Sequence, residues 1–434
     1  MAVDPSPRLT NNSRIAVVGG GPAGSFFALS ALSLAAHLGI HLDITIFERK
    51  DLYAAGPRGC NMCAGILSRR AAEGMAALGL ALPLEVIRAH IRAYQLHWGN
   101  HSISIDPPDA KRQVLSVYRA GGPRKSPYEP TDGLDAFLLS QAQARGARVL
   151  GERVEHIAFD GLPRVHTSAR EDTFDLVVLA IGVNATPPVL QHLDYSHPPT
   201  TAMAQDELLI EPAPNRGALD STVHVYFEQP RDLIFGALIP KGQFVNISLL
   251  GSHFGRDSID QFLAVPEVAQ IVGSNPPHMC GCRPHAAIAP ARGYYADRFV
   301  AVGDACVTRL YKDGIGSALV TAHAAAETAL QYGISRAAFA AHYAPVCRAI
   351  AKDNRFGRVV FGLVERSKRN ALLMRGLGRA LRLESKEEPG ARVIGQTLWA
   401  LFTGDSNYEE IFKMMLMPKS IARVGQAIIQ EALT

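Results

Sequence analysis

Four of the six cysteines fall in two tight pairs, Cys60-Asn61-Met62-Cys63 and Cys280-Gly281-Cys282. A C-x-x-C loop favours thiolate character, which suits a redox-active or catalytic pair made of Cys63 and Cys60. All four thiolates brought together would suit zinc or an iron–sulfur cluster. A third reading is small cysteines packed beside glycine with no shared chemistry, since free Cys fills interiors well. The sequence leaves these three readings open. Cys306, two residues past Asp304, is expected near the same site, and Cys347 reads as a helix-face residue.

A second chemistry is carried by glycine. Gly19-x-Gly21-x-x-Gly24 follows the apolar run Arg14-Ile-Ala-Val-Val18 and opens a stretch rich in Ala, Leu and Ser. Gly19 permits a tight turn, Gly21 lets the backbone approach a pyrophosphate, and Gly24 lets helix and strand pack closely. Pro22 and Ala23 lie at the helix start, whose free amides and dipole favour phosphate. Asp43-Ile-Thr-Ile-Phe47 then reads as a second strand delivering Glu48 and Arg49, where a carboxylate can accept hydrogen bonds from a ribose.

Far along the chain, Phe299-Val-Ala-Val-Gly303-Asp304 is an apolar strand with an acid at its end, followed by Lys312-Asp313-Gly314-Ile315-Gly316 at a helix start. A nicotinamide dehydrogenase has no need of a second anchor so distant. FAD, long and extended, does: Asp304 can bind ribityl hydroxyls while Gly314, Ile315 and Gly316 approach the ring. Asp175 to Gly182 supplies a third strand of the same sheet. Lys312 and Asp313 suit either a site or a solvated turn. Arg58 reads as a surface residue, His278 and His285 as satisfied structure, and Tyr311 as packing.

These motifs need a scaffold. The spacing predicts a Rossmann-like α/β domain over 14–90, 120–190 and 283–333, with helices at Ser25–Leu38, Asp135–Gly146 and from Gly316 past Ala329. An antiparallel substrate-binding sheet, over 91–119 and 191–282, is interleaved with it. Residues 1–13 read as a polar arm, and 334–434 as a C-terminal helical region. Within that region, Arg366–Arg382 reads as one basic amphipathic stretch, with Leu373, Leu377 and Leu381 on one face. It fits either an inward core stripe or an anionic membrane surface, and the core stripe is the plainer reading.

Composition bounds the function. With 434 residues, 47% hydrophobic and 19% charged, the chain is too apolar for disorder. A net charge of +4 excludes a nucleic-acid partner argued from charge. No apolar stretch approaches a membrane span, and the first residues do not resemble a secretory signal. A cytoplasmic protein with reduced thiols is expected, with peripheral contact at the inner face of the membrane as an open alternative.

The sequence resembles the p-hydroxybenzoate hydroxylase-like FAD proteins, and within them the geranylgeranyl reductase family. Three segments carry the narrower likeness. Cys63-Ala-Gly65-Ile-Leu-Ser68 is similar to that family's Cys-Gly-Gly-x-x-Ser loop, with Ala64 replacing a glycine. Phe235-Gly-Ala-Leu-Ile239-Pro240-Lys241-Gly242 is similar to its aromatic-x-Trp-x-x-Pro substrate motif, with Ala237 where Trp is common. Trp399 to Gly404, followed by Tyr408, resembles its C-terminal region. The resemblance implies FAD-dependent reduction of C=C bonds in an isoprenoid-like substrate by hydride from N5 of reduced flavin. Cys63 would lie near the ring, Phe235, Ile239 and Pro240 would contact a hydrophobic or lipid substrate, and NAD(P)H or a ferredoxin-like donor protein would supply electrons. Two other functions stay open: a flavin-dependent hydroxylase, and an electron-transfer flavoprotein subunit whose Cys60, Cys63, Cys280 and Cys282 hold an iron–sulfur cluster.

Overall fold

The computed structural model describes residues 7–433 except 61, 99–100, 110–111, 113, 211–216, 218, 228–232, 252–253, 255–256 and 274. The first six residues of the expected polar arm lie outside this set. The rest of the arm is tied down. Leu9 is buried, the Pro7 carbonyl accepts from Ile334 N at 2.8 Å, and Ser13 already belongs to the first strand.

That strand, β1 (Ser13–Val18), is almost wholly buried, as a central parallel strand must be. Helix α1 (Pro22–Leu38) starts with proline at its first turn, where the missing N–H costs nothing, and stops at Gly39 in the left-handed conformation. Strand β2 (Leu42–Phe47) returns parallel to β1, in register from Ser13 opposite Leu42 to Val18 opposite Phe47. The full sheet has six strands in the order Tyr295–Ala296, Phe299–Ala301, Leu176–Leu179, β1, β2, Arg148–Leu150. All its pairings are parallel except the outermost one, at Tyr295–Ala296. The Gly19 loop and the Gly303 turn therefore leave the same edge of one sheet, which is where an open α/β sheet binds ligands.

A seven-stranded sheet forms the second wall. Its order is His285–Ala287, Thr200–Leu209, Phe244–Gly251, Leu233–Lys241, Thr222–Tyr226, Ala93–Trp98, His101–Ile105. Only the pair Thr222–Tyr226 with Ala93–Trp98 is parallel. Val114–Val117 pairs with Ile66–Leu67 and Ile87–Ile91 in a small three-stranded sheet, which carries the chain from the cysteine loop towards Arg119.

The C-terminal region is helical: Ala344–Ser367, Ala371–Glu384, Val393–Thr403, Tyr408–Met415 and Pro418–Ala432. The basic stretch 366–382 is not one helix. It breaks before Asn370, whose side chain caps the next helix by accepting from Leu373 N. In that helix Met374 and Leu381 are buried, and Gly376 and Gly378 pack against Ile428 and Trp98. The apolar face thus turns inward and covers the outer end of the large sheet. Trp399 is fully buried there, edge-on to Tyr94 at 5.6 Å.

Candidate functional site

A single cavity of about 680 Å³ runs from the Gly19 loop, past the cysteine loop, to the C-terminal helices. At its first end it is lined by Gly19, Gly21, Pro22, Ala23, Glu48, Arg49, Gly182, Asp304, Gly314 and Ile315. Three other predicted glycines do not face it but make the geometry achievable. A Cβ at Gly24 would lie 1.9 Å from the Gly19 carbonyl oxygen, one at Gly303 2.7 Å from the Ala23 Cβ, and one at Gly316 2.5 Å from the Asp313 carboxylate. Gly19 itself has φ +110, and its Cβ would strike Ala180 O at 2.7 Å.

Glu48 closes the turn as well as facing the cavity. Its Oε2 accepts from Gly20 N at 2.8 Å and its Oε1 from Lys50 N at 2.8 Å, which leaves further lone pairs for a ligand hydroxyl. Asp304 sits in a one-turn 3-10 helix after its strand. Burial pushes its carboxyl up, and Arg119 and the Val183 amide offset this in part.

Arg119 and Asp135 complete this end, and the motif analysis missed both. Arg119 Nη2 donates to Asp135 Oδ2 at 2.9 Å while Nε bonds the other oxygen, with Asp135 wholly buried. Burial works against the guanidinium charge, but Asp135 and Cys63 raise its proton affinity above the ordinary value. Arg119 lines the cavity beside Gly21, where an added Cβ would lie 3.7 Å from Nη2. The signal in the sequence was slight: one arginine after a short strand, and one acid in the first turn of the helix Leu134–Ala144. Helix amides, a fixed guanidinium and two carboxylates at opposite ends of one sheet edge suit an extended dinucleotide such as FAD, with Arg119 on pyrophosphate, Glu48 on ribose and Asp304 on ribityl hydroxyls.

All four paired cysteines line the middle of the cavity. None is in a disulfide. Among the described residues no group of three or more His, Cys, Asp or Glu side chains is placed to hold a metal, so the cluster reading gains no support. At Cys60 burial pushes the thiol up, against the thiolate character that the C-x-x-C spacing favours, and the Met62 amide and Lys50 offset this in part. Burial pushes Cys280 up to about 11 and Cys282 up to about 12. Cys63 Sγ accepts from Gly65 N at 3.4 Å. Cys306 does not line the cavity. It is buried against Cys347, Sγ to Sγ 3.5 Å, so Cys347 has a partner that its helix-face reading did not foresee.

The far end is apolar, walled by Tyr94, Val223, Val225, Phe235, Ala237, Ile239, Phe361, Leu401 and Phe402. Pro240, expected among them, lies in the strand Leu233–Lys241 off the cavity wall; alternation along a strand sends it to the face opposite Ile239. Tyr311 lines the cavity and packs edge-on to Phe361 at 5.1 Å. Lys312 also reaches the wall, its Nζ buried 5.1 Å from the Tyr408 ring centroid without a hydrogen-bond partner among the described residues. Burial, and then Arg309, push its ammonium well down. His285 lines the cavity, whereas His278 bonds Asp206 at 2.8 Å behind it. Arg58 is exposed.

No protein-family model and no curated protein sequence matches this chain. Solved structures do. A geranylgeranyl bacteriochlorophyll reductase-like protein from Thermoplasma acidophilum matches with TM-score 0.67 and 14% identity over 96% of this chain and 100% of that one. A flavoprotein/dehydrogenase from Cytophaga hutchinsonii gives 0.63 and 14% over 98% and 100%. The flavin-dependent halogenase CmlS gives 0.57 and 16% over 98% and 78%. At 14–16% identity the likeness is one of fold: this chain, with its six-stranded sheet, second large sheet and C-terminal helices, has the mixed α/β fold of these flavoprotein structures.

Proposed function

We propose that the protein is an FAD-dependent oxidoreductase that reduces C=C bonds of a hydrophobic, isoprenoid-like substrate. One observation carries this reading: a dinucleotide-type cradle, a thiol-lined middle and an apolar chamber share one continuous cavity. Glu48 and Asp304 would hold FAD, which when bound and reduced would supply a hydride. The chain's own residues do the rest. Arg119, fixed by Asp135, and the α1 amides hold the phosphates. Phe235, Ile239, Tyr94 and Phe402 bury the substrate chain and exclude water, so that the alkene meets the ring in a dry site. Cys63, on the wall of the same cavity, is the group assigned to give the proton that balances the hydride.

A lipid substrate and a donor protein or NAD(P)H belong to the same proposal, as does peripheral membrane contact. Among the described residues no helix is long and apolar enough to cross a membrane. The test is anaerobic reduction of the flavin-loaded protein, followed by a screen for unsaturated compounds that reoxidise it with saturation. Cys63→Ala with flavin retained is expected to slow that saturation by 10²–10⁴-fold, the usual worth of a positioned proton donor. Undiminished turnover would remove Cys63 from the mechanism. The likeness to a halogenase and to 2-methyl-3-hydroxypyridine-5-carboxylic acid oxygenase supports a second reading, a hydroxylase. Oxygenated product in step with oxygen uptake would select it.

A further inference from the structure

The large sheet carries a polar strip on its cavity face, beside the buried Lys241, whose Nζ donates to the Val117 carbonyl at 2.7 Å. Gln205, Ser248, Asn246 and Glu207 are all buried, at 4%, 3%, 3% and 8% exposure. They come from two neighbouring antiparallel strands, with Gln205 opposite Ser248 and Glu207 opposite Asn246. Gln205 Nε2 donates to Ser248 Oγ at 2.9 Å, Ser248 Oγ donates to Asn246 Oδ1 at 2.7 Å, and Asn246 Nδ2 donates to Glu207 Oε1 at 2.9 Å. Gln205 and Ser248 reach the cavity wall; Asn246 and Glu207 lie behind it.

The direction of this chain is fixed from its buried end. Asn246 faces two acceptors on one side, Glu207 Oε1 and the Asp206 carbonyl oxygen at 3.4 Å, so its NH₂ must point there. Its carbonyl oxygen then faces Ser248, whose single hydroxyl proton is used up on it. Ser248 can only accept from Gln205, so Gln205 must turn its NH₂ to Ser248. What remains to Gln205 is Oε1, an acceptor without a hydrogen-bond partner among the described residues. Burial raises the proton affinity of Glu207, and Lys241 and Asn246 offset this in part; a proton on the unpartnered Oε2 would leave Oε1 an acceptor and keep the order.

We infer that Gln205 Oε1 receives a hydrogen-bond donor of the substrate, so that the ligand is a hydrophobic molecule bearing a hydroxyl or N–H, and not an ether, a bare hydrocarbon or a fully ionised phosphate at that point. The inference rests on the proposed apolar substrate and names its polar end. The Gln205 backbone pairs with Cys282, with N–H donors 2.8 and 2.9 Å from carbonyl oxygens in both directions, which seats that polar end beside the cysteines. A substrate group that cannot donate would leave Gln205 Oε1 dry and unpaired, a cost a bound donor avoids.

Equilibrium binding to the flavin-loaded protein tests this, read by the shift in flavin absorbance, with a prenyl alcohol, its methyl ether and its monophosphate as probes. The wild type is expected to bind the alcohol roughly tenfold tighter than the ether. Gln205→Leu should bring the two affinities together, because the alcohol loses its acceptor and the ether no longer strands one. Ser248→Ala should also erase the preference although Gln205 is intact, because its amide is then free to turn. Equal binding of alcohol and ether by the wild type, tighter binding of the phosphate, or a preference that survives both substitutions would overturn the inference alone. Failure of all three prenyl probes to bind a protein that holds flavin would overturn the substrate reading and this inference with it.

Discussion

The two ends of the cavity are built in opposite ways. At the nucleotide end, residues 13–48 supply strand, turn, helix, strand and acid in one unbroken run, closed by the hydrogen bond from Gly20 N to Glu48, and Arg119 and Asp304 join it from farther along the chain. At the substrate end, the wall joins Tyr94, Val223, Phe235 and Ile239 from three neighbouring strands with Phe402 from the helix Val393–Thr403. The first end is specified by backbone geometry, which tolerates almost no substitution. The second is specified by burial, which many apolar side chains satisfy. Chains with this fold can therefore keep one end and vary the chemistry at the other.

Breaking the nucleotide end should have the largest effect. Gly24→Val places atoms within 1.9 Å of the Gly19 carbonyl, and the expected outcome is no folded, flavin-binding protein, checked by circular dichroism and bound-flavin absorbance. Asp135→Asn removes the wholly buried carboxylate that pairs with the half-buried Arg119; a loss of about 3 kcal/mol in unfolding free energy is expected from denaturant titration. An unchanged midpoint would show that Arg119 does not depend on Asp135. Glu48→Gln keeps shape but removes charge from two backbone amides and from any ribose, and should weaken FAD binding roughly tenfold or more by isothermal titration.

The same asymmetry decides what the sequence revealed. Gly19, Gly21, Gly24 and Glu48 were legible because a strand-to-helix turn admits few residues and their spacing is local. Arg119 and Asp135 were not, because only the folded sheet brings an arginine after one strand against an acid opening a helix, next to a loop a hundred residues away. The directed strip from Glu207 to Gln205 was invisible for the same reason, since alternation along two strands set it on one face. At the C-terminus the leucine period allowed an inward face or a membrane face, and only the fold shows Leu381 buried; the break at Asn370 was overlooked, although an asparagine there is an ordinary helix start.

A smaller effect sharpens the contrast, through acid. In the large sheet His97 stacks on Tyr226 at 4.4 Å and on His224 at 5.2 Å, and burial, helped by His224, lowers its pKa from 6.5 to about 4. A histidine kept neutral in the fold stabilises it above its unfolded value, and that contribution is lost as pH falls from about 6.5 towards 4. His97→Gln is therefore expected to flatten the acid side of the stability profile, by about 1 kcal/mol once partial exposure is allowed for. Equal acid sensitivity in both proteins would assign the effect elsewhere.

The most direct test is a flavin titration of the purified, flavin-stripped chain, repeated with Glu48→Ala and Asp304→Ala. One FAD per chain in the wild type, with binding lost or strongly weakened in both variants, is the expected result. A wild-type chain that stays colourless and takes up no FAD, or variants that bind it as the wild type does, would contradict the assignment of the two acids as opposite ends of one cofactor site.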